Sequence, residues 1–299
     1  MTTHRTYNQR VLTPVPLLAL VAALGFGVSG VFLRRALQSA TPLAAAVVSV
    51  TVTAGLIWTL VLSTIPLDRL WTWRIAPFLL AGFVAPGLAR LGLFTGVARI
   101  GVARTSSLAA SSPLFAIVLA IPFLGERPTS MLLVGAACVV AGGMLLAYRA
   151  PEDTSWRRRD MVFPLLAALG FGLRDNLSRW GLRDYAEPLA AAAAATVTSV
   201  AVMWLVGLLR RPHMRLEARA LGYLAASGIA EATAYLTMWR ALAQGEVSVV
   251  SPLVNSYPIF AVTLAALFLR DVETVTWRMA LAAGLVVSGV ALIVRFGTA

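Results

Sequence analysis

Apolar residues run along the chain in ten long blocks, at about 14–36, 41–64, 74–97, 102–124, 129–148, 161–182, 187–209, 218–243, 247–269 and 276–296. Arginines, prolines and acidic residues separate them. Each block is close to the ~20 residues that carry a helix across a bilayer, so the pattern predicts ten transmembrane helices. The longest polar break, Arg149 to Asp160, falls mid-chain. It divides the protein into a first unit at 1–148, a linker at 149–160 and a second unit at 161–299. The first block has the look of a signal peptide, but a matching block stands mid-chain, which argues that it is retained.

Composition agrees with the pattern. Of 299 residues, 59% are hydrophobic and 13% charged, with a mean hydropathy of +0.81. An average soluble domain carries about 25% charged residues. Soluble nucleotide-binding enzymes, disordered chains and secreted disulfide scaffolds are therefore disfavoured. Every basic residue is Arg, and the net charge is +12. In a soluble protein that would suggest nucleic acid. Here most arginines border apolar blocks, as in Arg157-Arg158-Arg159 and Arg210-Arg211, which suits topology setting and contact with anionic lipid. No nucleic-acid partner is expected. The lone Cys138 reads as a packing residue. His4 and His213 lie outside the blocks, leaving no intramembrane His for a metal site or a base. No metal or cofactor is expected.

A repeat runs through the chain. Ala23-Leu24-Gly25-Phe26-Gly27 recurs as Ala168-Leu169-Gly170-Phe171-Gly172, at an offset of 145. Thr41-Pro42-Leu43-Ala44 recurs as Glu187-Pro188-Leu189-Ala190, and Pro113-Leu114-Phe115-Ala116 as Pro258-Ile259-Phe260-Ala261. Val139-Val140-Ala141-Gly142 recurs as Val286-Val287-Ser288-Gly289. Each half thus has five helices. Five is odd, so the second half enters the membrane from the opposite side. Such inverted repeats build secondary transporters, with the binding site near mid-membrane where the halves meet. The fold class expected is an all-α membrane protein of ten transmembrane helices in two inverted five-helix repeats.

The stretch Pro113 to Leu146, with Phe123-Leu124-Gly125-Glu126-Arg127 and then Gly142-Gly143, resembles an EamA domain of the drug/metabolite transporter superfamily. Pro258 to Leu292 resembles it again. The second copy departs from the pattern, with Leu269-Arg270-Asp271 where the first has Leu124-Gly125-Glu126. The resemblance implies a ten-helix transporter, usually an exporter, of small metabolites such as amino acids, their derivatives or drugs.

Charged residues deep inside apolar blocks are the main functional candidates, since each costs about 2.5–3.5 kcal/mol to insert unpaired. Arg90, Arg174, Asp175 and Glu231 are two cations and two anions that balance to zero. With Tyr235, one turn from Glu231, they suit a polar cavity for a zwitterionic or amphipathic substrate. A guanidinium grips a carboxylate through two hydrogen bonds, and Glu231 or Asp175 can hold an ammonium or a coupling proton. Proton coupling is assigned to Glu231. The blander reading is internal pairing that fixes helix contacts, with Asp175 reaching Arg179 one turn away.

Asn255 and Tyr257 are further cavity candidates, and Trp239 a candidate aromatic wall. Pro113 and Pro258, at matched positions, suit hinges or cavity walls because each frees a backbone carbonyl. Ser107, Ser111 and Ser251 read as hydroxyls bonded back within their helices. Gly92 with Gly96, and Gly284 with Ser288, read as helix contacts. Gly27-Val28-Ser29-Gly30 matches an intramembrane serine-protease motif, but serine needs a base and no spanning block has a His. No enzyme is expected.

Ten spans put both ends on one side. Eight arginines border that side and fourteen the other, so the positive-inside rule places the ends outside. The resemblance places them in the cytoplasm, and that is the orientation adopted. The expected function is secondary transport of small molecules by alternating access in the plasma (inner) membrane, among membrane lipids, as a monomer or homodimer. The alternative is a flippase for lipids or lipid-linked precursors.

Overall fold

The computed structural model describes residues 14–66, 70, 72–147, 157–210, 214–268 and 277–297. His4, His213, Arg149, Leu269, Arg270, Asp271 and most of the 149–160 linker lie outside these residues.

The first half contains α1 (Pro14–Ala36), α2 (Pro42–Thr64), α3 (Ala76–Gly82), a π-helical turn (Phe83–Leu88), α4 (Ala89–Ala109), α5 (Ser112–Leu124) and α6 (Ser130–Ala147). The second contains α7 (Val162–Asp184), α8 (Pro188–Leu209), α9 (Ala218–Gln244), α10 (Val247–Val254), α11 (Tyr257–Phe268) and α12 (Trp277–Phe296). Pro42, Pro113 and Pro188 each fall in the first turn of a helix, where proline removes no intrahelical bond. The Thr41-Pro42 and Glu187-Pro188 repeat is thus a pair of matched helix starts.

The ten predicted spans are recovered from these pieces because several helices are broken. The third span is α3, the π-helical turn and α4 as far as Gly101. The turn contains the extended residue Ala85 (φ −150°, ψ 130°) followed by Pro86. Gly101, at φ +81°, bends α4 sharply and starts the fourth span. A side chain with a Cβ is strained at that φ. The fourth span breaks again at Ala110–Ser111, and the ninth at Asn255–Ser256, two residues before Pro113 and Pro258 respectively. Thr198 and Ser199 of α8 donate to carbonyls beside the third-span break, at Leu79 (2.7 Å) and Gly82 (3.0 Å). Pro86 has no N–H to offer the Gly82 carbonyl one turn back, and a neighbour's hydroxyl satisfies it, which is how a membrane helix tolerates a break.

Among the described residues, eight helices or continuous spans are long and apolar enough to cross a membrane. The two that fall short are α7 and α9, which carry Arg174 and Asp175, and Glu231. They are shielded by partners: α9 lies along α1, and α7 lies along α3 and α4. These pairings exchange when the halves are exchanged. So do α1 with α11 and α7 with α5, while α6 with α12 and α2 with α8 map onto themselves. A two-fold relation between halves requires such pairing.

The repeated motifs are each other's partners across that relation. A Cβ on Gly27 would lie 2.7 Å from Phe260, and one on Gly172 would lie 2.7 Å from the Ala116 nitrogen. Gly25 meets Ala234 and Gly170 meets Ala89, again at matched positions. Gly92 and Gly96 press on Phe163 and Pro164 as expected. Gly284 does not behave as a contact residue, because nothing lies within 4 Å of where its Cβ would be. α6 and α12 instead pack closely at Gly135 against Gly289, and at Gly142 against Ala282 and Val286.

Candidate functional site

Near mid-depth, α9 presents Glu231, Tyr235 and Trp239 at successive turns on one face. Arg90 of α4 reaches Glu231, its Nη2 donating to Oε1 at 2.7 Å. The Ser49 hydroxyl of α2 donates to the other carboxylate oxygen, also at 2.7 Å. The pair therefore joins the two halves, and Glu231 has both oxygens engaged. Arg174 and Asp175, adjacent on α7, pair with each other: Nε and Nη2 of Arg174 both donate to Oδ1, at 3.0 and 2.7 Å. Both residues are buried. Asp175 does not reach for Arg179, which instead donates to the carbonyls of Leu242 and Ala243 at the end of α9.

An aromatic series continues from these charges. Phe26 of α1 makes edge contacts with Tyr235 and with Tyr257, ring centroids 6.4 Å apart in both cases. Tyr235 neighbours Trp239 at 6.3 Å, and Trp239 meets Phe78 of α3 edge-on at 5.6 Å. Trp239 and Phe78 are fully buried, so Trp239 belongs to a plug on the side of the chain termini. Towards the other side the protein leaves Tyr257 41% exposed and the Arg90 side chain 19%. Among the described residues, the site is closed towards the termini and uncovered away from them.

Asn255 and Pro258 stand at the ninth-span break, and Pro113 at the fourth. Ser112 donates to Asn255 Oδ1 at 3.1 Å, tying the two breaks together, while Asn255 Nδ2 donates to the Ser251 carbonyl. Ser111 bonds back to Leu108, but Ser107 donates to Met144 of α6 and Ser251 Oγ has no partner within the protein. Ser29 of the protease-like motif shares a hydrogen bond with Ser227, at 2.8 Å. Among the described residues, no group of three His, Cys, Asp or Glu could hold a metal ion. A recess of about 470 Å³ between Leu37–Thr41 and Met214–Glu217 lies at the opposite end and includes none of the four charges.

The closing layer on the terminal side was not legible in the sequence. Gly125 adopts φ +70°, the left-handed conformation that ends helices, and Glu126 beyond it is buried. Its two carboxylate oxygens accept from the backbone N–H groups of Val247 and Ser248, at 2.7 and 2.9 Å. A carboxylate at a helix N-terminus meets both the free N–H groups and the favourable end of the dipole. Arg183 donates to the Leu124 carbonyl at 2.9 Å. Together with Arg179 these side chains bind the ends of α5, α9 and α10. The signal available was the Gly125-Glu126 pair after an apolar run; nothing in the sequence named the helix it would cap.

Two inverted five-helix halves closing on paired charges at mid-depth define a multi-pass membrane transporter of the inverted-repeat class. The model of the EamA-like transporter family matches twice, at residues 13–148 and 160–295. The chain belongs to that family, within the drug/metabolite transporter superfamily, whose members are transporters and not enzymes. No curated protein matches the sequence. One crystal structure superposes with a TM-score of 0.81 at 17% identity, covering 94% of this chain and 96% of the other. At that identity the likeness establishes the fold alone.

Proposed function

We propose that this protein is a secondary transporter exporting small metabolites, such as amino acids, their derivatives or amphipathic drugs, across the plasma (inner) membrane by alternating access. The observation that carries the reading is the Arg90–Glu231 ion pair, drawn from both halves at the surface where one must move against the other. Intramembrane charges are costly and mark substrate or ion pathways. The substrate site comprises Arg90, Arg174, Asp175, Glu231, Tyr235, Asn255 and Tyr257, with the breaks before Pro113 and Pro258 as hinges. Both termini are cytoplasmic in this reading, so the uncovered side faces outward.

Glu231 carries the coupling proton. Arg90 and Ser49 hold its carboxylate, with Tyr235 on its own helix and Arg174 and Asp175 on α7. Protonation removes the charge that Arg90 holds and frees that guanidinium for a substrate. The sequence has no ATP-binding motif, so an ion gradient or the substrate's own gradient supplies the drive.

Transport of radiolabelled amino acids and amphipathic amines in proteoliposomes tests the reading. Wild-type protein is expected to move at least one of them with a rate that depends on pH. Glu231→Gln and Arg90→Ala, inserted normally, should lower the rate at least about 10-fold, the effect of removing a charge-assisted hydrogen bond. Wild-type rates in both variants overturn the site, and pH-independent transport removes Glu231 as the proton carrier. Movement of labelled lipid without movement of metabolites would point to a flippase instead.

A further inference from the structure

Along the face of α9, the buried hydrogen-bonding groups left without partners are mostly donors. Each carboxylate already has a guanidinium: Glu231 accepts from Arg90 and Ser49, and Asp175 is gripped through one oxygen by two nitrogens of Arg174. The buried atoms left over around α9 are Arg90 Nη1, the Tyr235 hydroxyl and Trp239 Nε1, none with a partner within the protein. Two are donors with no capacity to accept, and the third donates readily. Arg174 lies close enough to the Tyr235 hydroxyl to direct a donor at its oxygen. Having only donors itself, it would leave the tyrosine proton unspent in any case. Tyr235 is 4% exposed and Trp239 0%, so neither is turned out to solvent.

We infer that the transported molecule is an organic monoanion with a planar apolar body. Its carboxylate accepts from Arg90 Nη1 and the Tyr235 hydroxyl, and its body lies against Phe26 and Tyr257. The inference rests on the transporter reading and sharpens its substrate class. Four features support it. A carboxylate entering this site finds donors already unspent, at Arg90 Nη1 and the Tyr235 hydroxyl. Buried donors left unmet are costly, and a ligand that meets them recovers that cost. Arg90 Nη1 is separate from the Nη2 that holds Glu231, so the ligand docks without first opening the ion pair. Finally, Phe26 bridges Tyr235 and Tyr257 edge-on, and Tyr257, 41% exposed, offers ring surface to an aromatic or similarly flat group.

Three molecules with one body and different heads separate the possibilities: phenylacetate, phenylacetamide and 2-phenylethylamine. Binding to the full-length protein in nanodiscs is measured by calorimetry at neutral pH. Phenylacetate is expected to bind at least about 10-fold tighter than the amine, with the amide between. Tyr235→Phe is expected to weaken phenylacetate about 10-fold, the effect of one hydrogen bond to a charged group. Unliganded melting of the same variant is compared with wild type, so that a folding defect is not read as lost affinity. Equal or tighter binding of the amine, unchanged phenylacetate affinity in Tyr235→Phe, or binding of none of the three overturns the acid assignment. The transporter reading stands or falls separately, on the proteoliposome rates.

Discussion

At the scale of single residues, the informative fact is which partner each buried charge takes. Arg174 and Asp175 are adjacent and paired to each other, with side chains 8% and 5% exposed. Removing one member strands the other, which for buried pairs costs about 3–5 kcal/mol. Asp175→Ala should therefore lower the melting temperature markedly, and Arg174→Met with Asp175→Ala should recover much of the loss. The sequence announced these four charges clearly, since they interrupt apolar helices. It did not announce their partners. Spacing offered Asp175 the partner Arg179 one turn away, but Arg179 went to carbonyls at the end of another helix, a contact no sequence interval encodes. At the end of the third span, Arg99 donates at 2.9 Å to Asp160, which lies outside the spans, and sits over the Phe163 ring. The hydrogen bond from Arg99 holds the Asp160 carboxyl below its ordinary range. A folded-state value below the unfolded one, about 3.9, gives stability that is present above about pH 4 and lost as pH falls through the folded value. Melting curves from pH 6 to pH 2.5 should show an acid-side decrease that is smaller in Asp160→Asn.

At the scale of helices, breaks and close contacts define this fold more than helix propensity does. The ten blocks read from the sequence match the spans to within a few residues, because a bilayer demands about the same apolar length every time. The breaks at Pro113 and Pro258 were legible from proline and its matched position. The break between the third and fourth blocks, at 98–101, was legible too, and the structure makes it a bend at Gly101 within one helix. The glycine repeats at positions 25, 27, 170 and 172 are close-approach sites between halves. Gly172→Leu should force α7 from α5 and cost about 1–3 kcal/mol as overpacking does, with a lowered melting temperature in detergent. Gly284→Leu serves as the control, and should change stability little because that position is open. Thr198→Val with Ser199→Ala would leave the Leu79 and Gly82 carbonyls beside the third-span break without those partners. The pair should be destabilising by about 1–3 kcal/mol.

At the scale of the molecule, the two-fold relation was legible from the repeat, but which side is closed was not. Inverted halves can close either end, and their sequence is compatible with both states. Arginine distribution and family resemblance disagree about orientation, so a phosphatase or fluorescent-protein fusion at the C-terminus is the direct measurement; the proposed reading expects a fluorescent, phosphatase-inactive fusion. The closed end has a property that makes it observable without any ligand. The amide protons of Val247 and Ser248 are held by a carboxylate from the other half. They can exchange with deuterium only when Glu126 lets go. Their exchange rate is therefore a clock on how often the terminal side opens, running in the resting protein before a single substrate molecule has been identified.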